Sequence, residues 1–167
     1  LSFGSTTLTN SEPNSELYGS SDAFIVKYDP AGNVIWSNSA GGTSTEVARS
    51  VTTDFSGNVI VMGSYTGPTI KFGSISLTTK GNNYMYIAKY NSEGNIIWAK
   101  TVDVTFRFEP IVTTDVFGNI IASGCFQDKT STFGSTTLTN SDTTSNFPDT
   151  DIFIIKLNSP SGIDEIT

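Results

Sequence analysis

The 167-residue chain contains no histidine. Histidine is the commonest general base, completes the Ser-His-Asp and Cys-His nucleophile systems, and binds zinc alongside cysteine. Its absence excludes these systems and most zinc sites from these residues. Paired carboxylates for glycoside hydrolysis are also missing, and Glu109, the acid that most clearly breaks the repeat pattern described below, has no evident partner. We therefore expect no enzyme, no cofactor and no metal.

Cysteine occurs once, as Cys125, so the chain cannot form an internal disulfide. An unpaired cysteine can mark a reactive thiol or an intermolecular bridge. Here it follows Gly124 on a predicted strand, where an earlier copy of the same pattern has Ser64 after Gly63. We interpret Cys125 as a small buried strand residue.

Positive charge is scarce, because 9 Lys and Arg face 16 Asp and Glu and the formal net charge is -7. Nucleic-acid binding needs clustered cations that neutralise phosphates, and anionic membrane surfaces attract basic segments. The lysines are scattered and form no such patch. The composition argues against a nucleic-acid partner, and no apolar run is long enough to predict membrane insertion.

What the chain does contain is an internal repeat. The segment FGSTTLTN at residues 3–10 recurs identically at 133–140, and a looser copy, FGSISLTT, lies at 72–79. A repeat of this length is typical of an array built from one supersecondary unit. The fold must therefore be read from the unit and from how its copies pack.

Two further segments repeat together with the first. One covers residues 22–36, returns at 84–98 and starts again at 151–157, and the other covers 51–63 and returns at 112–124. Each is a β-rich run, a polar turn ending in Gly-Asn, and a second β-rich run, which is typical of a hairpin. No segment has apolar residues at helical spacing. The chain is predicted to be all-β.

The predicted strands Val59–Met62 and Phe24–Val26 are almost continuously apolar, which predicts burial on both faces of a sheet. Four-stranded antiparallel sheets covered on both faces are the blades of a β-propeller. One complete blade is predicted from Glu46–Asp54, Asn58–Tyr65, Tyr84–Tyr90 and Asn95–Thr101. The FGS segment between its second and third strands is predicted to form an extra ribbon at the outer part of the blade.

The repeats divide the chain into the outer half of a blade (1–40), a complete blade (41–102) and a blade with a degenerate last strand (103–167). All three belong to one propeller domain, which is incomplete because a closed propeller has about four to eight blades. Two explanations are open. The chain is a fragment of a longer polypeptide, which we favour, or identical chains assemble to close the ring.

Lysine recurs at Lys27, Lys89 and Lys156, and tryptophan at Trp36 and Trp98. A ring of lysines could bind an anionic ligand, and an exposed Trp could stack on a sugar. We predict instead that each lysine packs its stem along the sheet while its ammonium group reaches a carboxylate or water. Each Trp should pack between blades with its N–H satisfied.

The acidic residues that open the turns, Asp29, Asp54 and Asp115, raise the question of a calcium site. Each turn supplies at most one carboxylate and lacks the alternating acidic positions of a calcium loop. We interpret these residues as turn caps that accept hydrogen bonds from nearby backbone N–H groups.

The copies differ mainly in the connection after the FGS segment, which is long at Asn10–Asp22, short at Lys80–Asn83 and long again at Asn140–Asp151. Variable surface loops commonly carry binding function. The ligand-binding candidates are the side chains at the ends and tips of the long loops: Tyr18, Asp22, Phe147 and Asp151. Solvated spacers without a binding role are the alternative.

The patterns VTTDxxGNxIxxG at 51–63 and FIxKYDxxGNxIW at 24–36 resemble the SBBP repeat family of bacterial seven-bladed β-propellers. The FGSTTLTN segment is similar to copies in secreted or surface proteins of Bacteroidota, which often use the type 9 secretion system. The resemblance implies a secreted or cell-surface binding or display scaffold for a glycan or protein ligand. The alternatives are a cargo bound to outer-membrane secretion components, and part of a propeller hydrolase whose catalytic residues lie outside this segment.

Overall fold

The computed structural model describes residues 1–12, 20–80, 83–102, 104, 109–133, 135–141 and 149–158. Those residues form strands, turns and bends, with no helix among them. Accordingly, no helix in that part of the chain is long and apolar enough to cross a membrane. The all-β prediction is confirmed.

The strands are short and are joined mostly by hairpin turns. In chain order they are β1 Ser2–Phe3, β2 Thr6–Thr7, β3 Ala23–Tyr28, β4 Val34–Gly42, β5 Glu46–Thr53, β6 Val59–Tyr65, β7 Thr69–Phe72, β8 Ile75–Thr78, β9 Tyr84–Tyr90, β10 Ile96–Val102, β11 Ile111–Thr114, β12 Ile120–Phe126, β13 Thr130–Phe133, β14 Thr136–Thr139 and β15 Asp151–Leu157.

The central sheet has the strand order β10-β9-β6-β5, with every neighbouring pair antiparallel. Its four strands are those predicted for the complete blade, and no strand end differs from its predicted position by more than one residue. Every residue of β6 is buried, as are six of the seven residues of β9. The sheet is therefore covered on both faces, as a propeller blade requires.

The first sheet has the order β3-β4-β7-β8, and the third sheet has the order β11-β12-β15. One apolar core lies between the first and central sheets and contains Tyr65, Phe72 and Tyr86. A second core lies between the central and third sheets and contains Met62 and Phe153. Alternate residues of β6 enter the two cores, so the central sheet packs against its neighbours through both faces.

The ribbon β7–β8 corrects one prediction. It does not extend its own blade but pairs with β4, through Ala40 opposite Phe72 and Gly42 opposite Ile70, and so widens the first sheet. A Cβ at Gly42 would lie 2.0 Å from the carbonyl oxygen of Thr69, so only glycine permits this approach. In the next copy Val104 stands where Gly42 stands here, and the ribbon β13–β14 is a separate two-stranded sheet among the described strands.

Tryptophan packs between sheets as predicted. The ring of Trp36 on β4 stacks on Tyr90 of the central sheet at 6.3 Å between centroids, and its Nε1 donates to the Ser92 carbonyl at 3.0 Å. Trp98 is 9% exposed and belongs to the second core. The recurring Trp residues are thus packing residues of the blades.

Cys125 corrects another expectation, because it is only half-buried. Its neighbours Gly124 and Phe126 on β12 face the central sheet, and Cys125 points to the opposite face of the third sheet. On that face Ile152 and Ile154 are 73% and 70% exposed. The residue is small, as predicted, but no other sheet among the described strands covers it.

Glu46 is an ionisable group buried at the junction of two sheets. Its side chain is 1% exposed, one carboxylate oxygen accepts the N–H of Gly42 at 2.8 Å, and the other has no hydrogen-bond partner. Burial, with a smaller contribution from the charge of Asp22, raises the pKa of Glu46 to about 7. The folded chain therefore binds a proton at Glu46 that the unfolded chain releases at lower pH.

We expect Glu46→Gln to stabilise the protein at pH 8 and to change little at pH 4.5. Because the folded pKa of Glu46 lies above its unfolded value, the carboxylic acid adds stability that is present below about pH 4.5 and is lost as the pH rises to about 7. A pKa change of this size corresponds to roughly 3 kcal/mol in the free energy of unfolding. Thermal unfolding followed by circular dichroism at both pH values measures it.

The matched control is Glu93→Gln, which removes an exposed carboxylate from a turn of the central sheet. This control should leave the difference between the two pH values unchanged. An equal gain for Glu46→Gln at pH 4.5 and pH 8 would contradict a buried, protonated Glu46.

Candidate ligand-binding groove

The turn between β5 and β6 is built around one carboxylate. Asp54 Oδ1 accepts the backbone N–H groups of Ser56 and Asn58, each at 3.0 Å, and Oδ2 accepts Asn58 Nδ2 at 2.8 Å. Gly57 has a φ of 73°, a conformation that favours glycine. Hydrogen bonds from the turn's own residues to Asp54 are therefore enough to close it, and the turn does not need a metal ion.

The turn between β11 and β12 repeats this arrangement. Asp115 Oδ1 accepts the N–H groups of Phe117 and Asn119 at 2.9 Å, and Oδ2 accepts Asn119 Nδ2 at 2.8 Å. Asp29 caps the turn after β3 in the same way. The interpretation of these three aspartates as turn caps is confirmed.

The β5–β6 turn and the β11–β12 turn each form an ion pair with a lysine of a neighbouring strand. Lys89 Nζ lies 2.9 Å from Asp54 Oδ2, with both side chains less than 10% exposed, and Lys156 Nζ lies 2.8 Å from Asp115 Oδ2. The third recurring lysine, Lys27, donates instead to the Ser92 carbonyl at 2.9 Å. The predicted pairing of lysine with a carboxylate is confirmed for Lys89 and Lys156.

These contacts keep the two carboxylates ionised. Burial raises the pKa of Asp54, but the hydrogen bonds from Asn58 and Lys89 outweigh it and the net pKa is lowered. Hydrogen bonds from Lys156 and then Asn119 hold the pKa of Asp115 well below its usual range. Neither group is suited to act as a general acid near neutral pH, since such an acid needs a pKa close to the working pH.

The two turns lie side by side, because Thr114 Oγ1 donates to the Thr53 carbonyl at 2.9 Å across the sheets. Between them runs a groove of about 270 Å³, here called the turn groove, which is lined by Thr53, Asp54, Phe55, Thr114, Asp115 and Val116. Its rim is apolar. Phe55 is 81% exposed, Val116 is 71% exposed, and the adjacent Phe117 is 82% exposed.

The turn groove combines satisfied charges with exposed apolar side chains. Its carboxylates are saturated by lysine and by their own turns, while its apolar side chains have no cover among the described residues. Exposed aromatic groups on a rigid frame are the usual anchors of a protein interface. The arrangement can hold an apolar segment between Phe55 and Val116, with the exposed Phe117 next in the chain to Val116 and with threonine and aspartate also lining the groove.

The predicted loop residues lie elsewhere. Asp22 accepts the N–H of Ser11 at 2.9 Å and its hydroxyl at 2.8 Å, and Asp151 accepts the same two groups of Ser141 at 2.7 and 3.0 Å. Both aspartates thereby close the base of a long loop. Tyr18 and Phe147 lie outside the described residues, so a ligand-binding role of the long loops stays a prediction.

The sequence contains a signal for the turn groove that we did not use to predict it. The turns after β3 and β9 have Pro-Ala and Ser-Glu between the leading Asp or Asn and the Gly, whereas the turns of the groove have Phe-Ser and Val-Phe at those places. Bulky apolar residues in a polar hairpin turn have no packing role. Exposed apolar residues that lie close together are typical of interaction sites.

No protein-family model matches the chain. An uncharacterized WD repeat-containing protein of Acanthamoeba polyphaga mimivirus is 32% identical over 87 residues, which cover 48% of this chain and 6% of that protein. This similarity agrees with a β-propeller-like repeat scaffold and with the blade-like sheets of the structure. Membership of the SBBP family stays a prediction from the resemblance.

We expect Lys89→Met to destabilise the protein far more than Lys156→Met. The first substitution leaves Asp54 charged and buried without its partner, which costs about 3 kcal/mol or more. The second removes a pair in which the lysine side chain is 45% exposed, so water replaces it and the cost is about 1 kcal/mol or less. The free energies of unfolding in urea compare the two variants. Equal losses would contradict the difference in burial.

Proposed function

We propose that the chain is a non-enzymatic binding scaffold whose turn groove holds an apolar segment of a protein ligand. The observation that carries the proposal is the pair of phenylalanines, Phe55 and Phe117, that stand more than four-fifths exposed on adjacent turns. A soluble chain rarely leaves such side chains uncovered together without an interaction partner. The fold alone does not decide the function, since propellers carry many activities.

The rigidity of the turns supports this role. Asp54 and Asp115 each close their turn with three hydrogen bonds, so the apolar rim loses little conformational freedom when a ligand binds. The net charge of -7 favours a ligand with cationic groups beside its apolar segment, because complementary charge speeds association. A protein ligand fits this surface better than a glycan, which needs hydrogen-bond donors and acceptors that the rim lacks.

We also propose, from the resemblance, that the protein is secreted or lies at a bacterial cell surface. No described residue favours a role as secretion cargo or as part of a hydrolase. Detection of the protein in the culture medium or on intact cells of its source, against a cytoplasmic marker, tests the location. Retention with that marker would contradict it.

The binding proposal is tested with a displayed library of random 12-residue peptides, selected on the immobilised chain. We expect the selected peptides to be apolar and basic, and to bind Phe55→Ser/Phe117→Ser about tenfold or more weakly in fluorescence anisotropy. The melting temperature should stay within about 2 °C of the wild type, because both side chains are exposed.

Ile35→Ser/Ile97→Ser is the control. It removes two side chains that are about half exposed on β4 and β10, and peptide affinity should not change. Peptides that bind both double variants as tightly as the wild type would contradict the proposed site. Selective binding to a glycan array, unaffected by loss of the two phenylalanines, would contradict the proposed ligand class.

A further inference from the structure

Glu46 joins the central sheet to the first sheet through both its backbone and its side chain. Its N–H donates to the Ser21 carbonyl at 2.7 Å, just before β3 begins. Its carboxyl group accepts the N–H of Gly42, the last residue of β4, at 2.8 Å. We call residues 42–46, which lead from β4 to β5, the sheet connection. The Glu46 side chain bonds the two ends of this connection to each other.

The surroundings of the carboxyl group suit its neutral form. Its second oxygen, Oε1, has no hydrogen-bond partner among the described residues. Oε1 and the Thr69 carbonyl oxygen lie 3.1 and 2.0 Å from the point that a Cβ of Gly42 would occupy. A protonated oxygen can donate toward a carbonyl oxygen, whereas an ionised oxygen is repelled by it.

Glu46 forms no ion pair with any residue that the structure describes. The charge of Asp22 opposes its ionisation. The other ionisable groups on the elements around Glu46 are Tyr65 on β6, Tyr86 on β9, Lys71 on β7 and Arg49 on β5. Lys71 is exposed to water, and Arg49 pairs with Glu109 at 2.8 Å. Neither cation therefore compensates a negative charge at Glu46.

The residues that separate Glu46 from water form a thin cover. Gly42, Ser44 and Thr45 are only half-buried and Thr43 is exposed, whereas the neighbouring strand β6 is buried throughout. No residue of the sheet connection belongs to either apolar core. A movement of the connection alone can therefore bring the carboxyl group to water and leave both cores packed.

We propose that Glu46 is a pH-sensitive switch, whose neutral side chain keeps the sheet connection closed and whose ionisation opens the connection while both cores stay folded. Opening gives the charge access to water. It also releases Gly42, which lies opposite Ile70 at the end of the contact between β4 and β7. The switch lies at the start of β5, and the turn groove follows the end of β5, so this inference does not depend on the proposed function.

The pH range of the switch follows from its two states. Burial raises the pKa of Glu46 from 4.5 to about 7 in the closed connection, against the opposing effect of the Gly42 and Ser44 N–H groups. In the open connection the pKa returns toward its ordinary value. The closed form is therefore fully favoured below about pH 4.5 and loses its advantage as the pH rises to about 7. Between pH 5 and pH 8 the ratio of open to closed molecules should rise at least tenfold.

Amide hydrogen exchange of the intact chain, measured by NMR, tests the switch. After correction for the intrinsic exchange rate, the N–H groups of Gly42 and Glu46 should exchange at least tenfold faster at pH 8 than at pH 5. Low concentrations of urea should not change these rates, because a local opening exposes little surface. The N–H of Met62, in the second core, should exchange with a steep dependence on urea.

Glu46→Gln keeps the shape and the acceptor but has no ionisable group, so its Gly42 N–H should exchange equally at both pH values after the same correction. Glu93→Gln is the control and should behave like the wild type. The pKa of Glu46, followed through the carbon NMR signal of the carboxyl group that Glu46→Gln lacks, should be about 7 in the wild type.

Three results would overturn the proposal. The first is a corrected exchange rate of Gly42 that does not change with pH in the wild type. The second is a urea dependence of Gly42 equal to that of Met62 at pH 8, because the connection would then open only when the whole protein unfolds. The third is a carboxyl signal of Glu46 that titrates below pH 5.

Discussion

The structure depends on one constraint, which is that every interior sheet must be covered on both faces by its neighbours. The strand β6 has no exposed residue, and its alternate side chains enter two different cores. A sheet of this kind is unstable alone, since each apolar face needs a partner of matching shape. Cooperation between adjacent blades, rather than strength within one blade, therefore holds this fold together.

That constraint explains where the polar groups lie. Buried charges are tolerated where a partner is fixed by the repeat, as Lys89 and Asp54 show, and they weaken the fold where the partner is missing, as Glu46 shows. Glu46 has no counterpart in the next copy, where residue 107 is arginine. It is a local departure from the repeat at the junction of two sheets, and its raised pKa reflects that position.

Much of the fold could be predicted because it follows from local chemistry. Apolar runs predicted the strands, Asp and Gly predicted the turns, and repeated lysines implied repeated carboxylates. The ribbon β7–β8 could not be assigned to the correct sheet, because its pairing depends on the closeness of Gly42 to the Thr69 carbonyl, a contact between segments far apart in sequence. The turn groove was missed for a similar reason, since exposure of Phe55 and Phe117 depends on two turns meeting across sheets.

The turn residues and the packing residues of the repeat differ in how freely they can be substituted. Phe55 and Val116 stand on turns whose closure requires only the leading Asp, the Gly and the Asn, so their identities are free to follow a ligand. The positions of Phe24 and Val26 are different, because their counterparts in the other two copies are buried in the cores: Tyr86 with Ala88, and Phe153 with Ile155. A substitution at such a position changes the packing between neighbouring sheets. The apolar residues of the turn groove can therefore change without loss of the fold, whereas the strand residues that pack between sheets cannot.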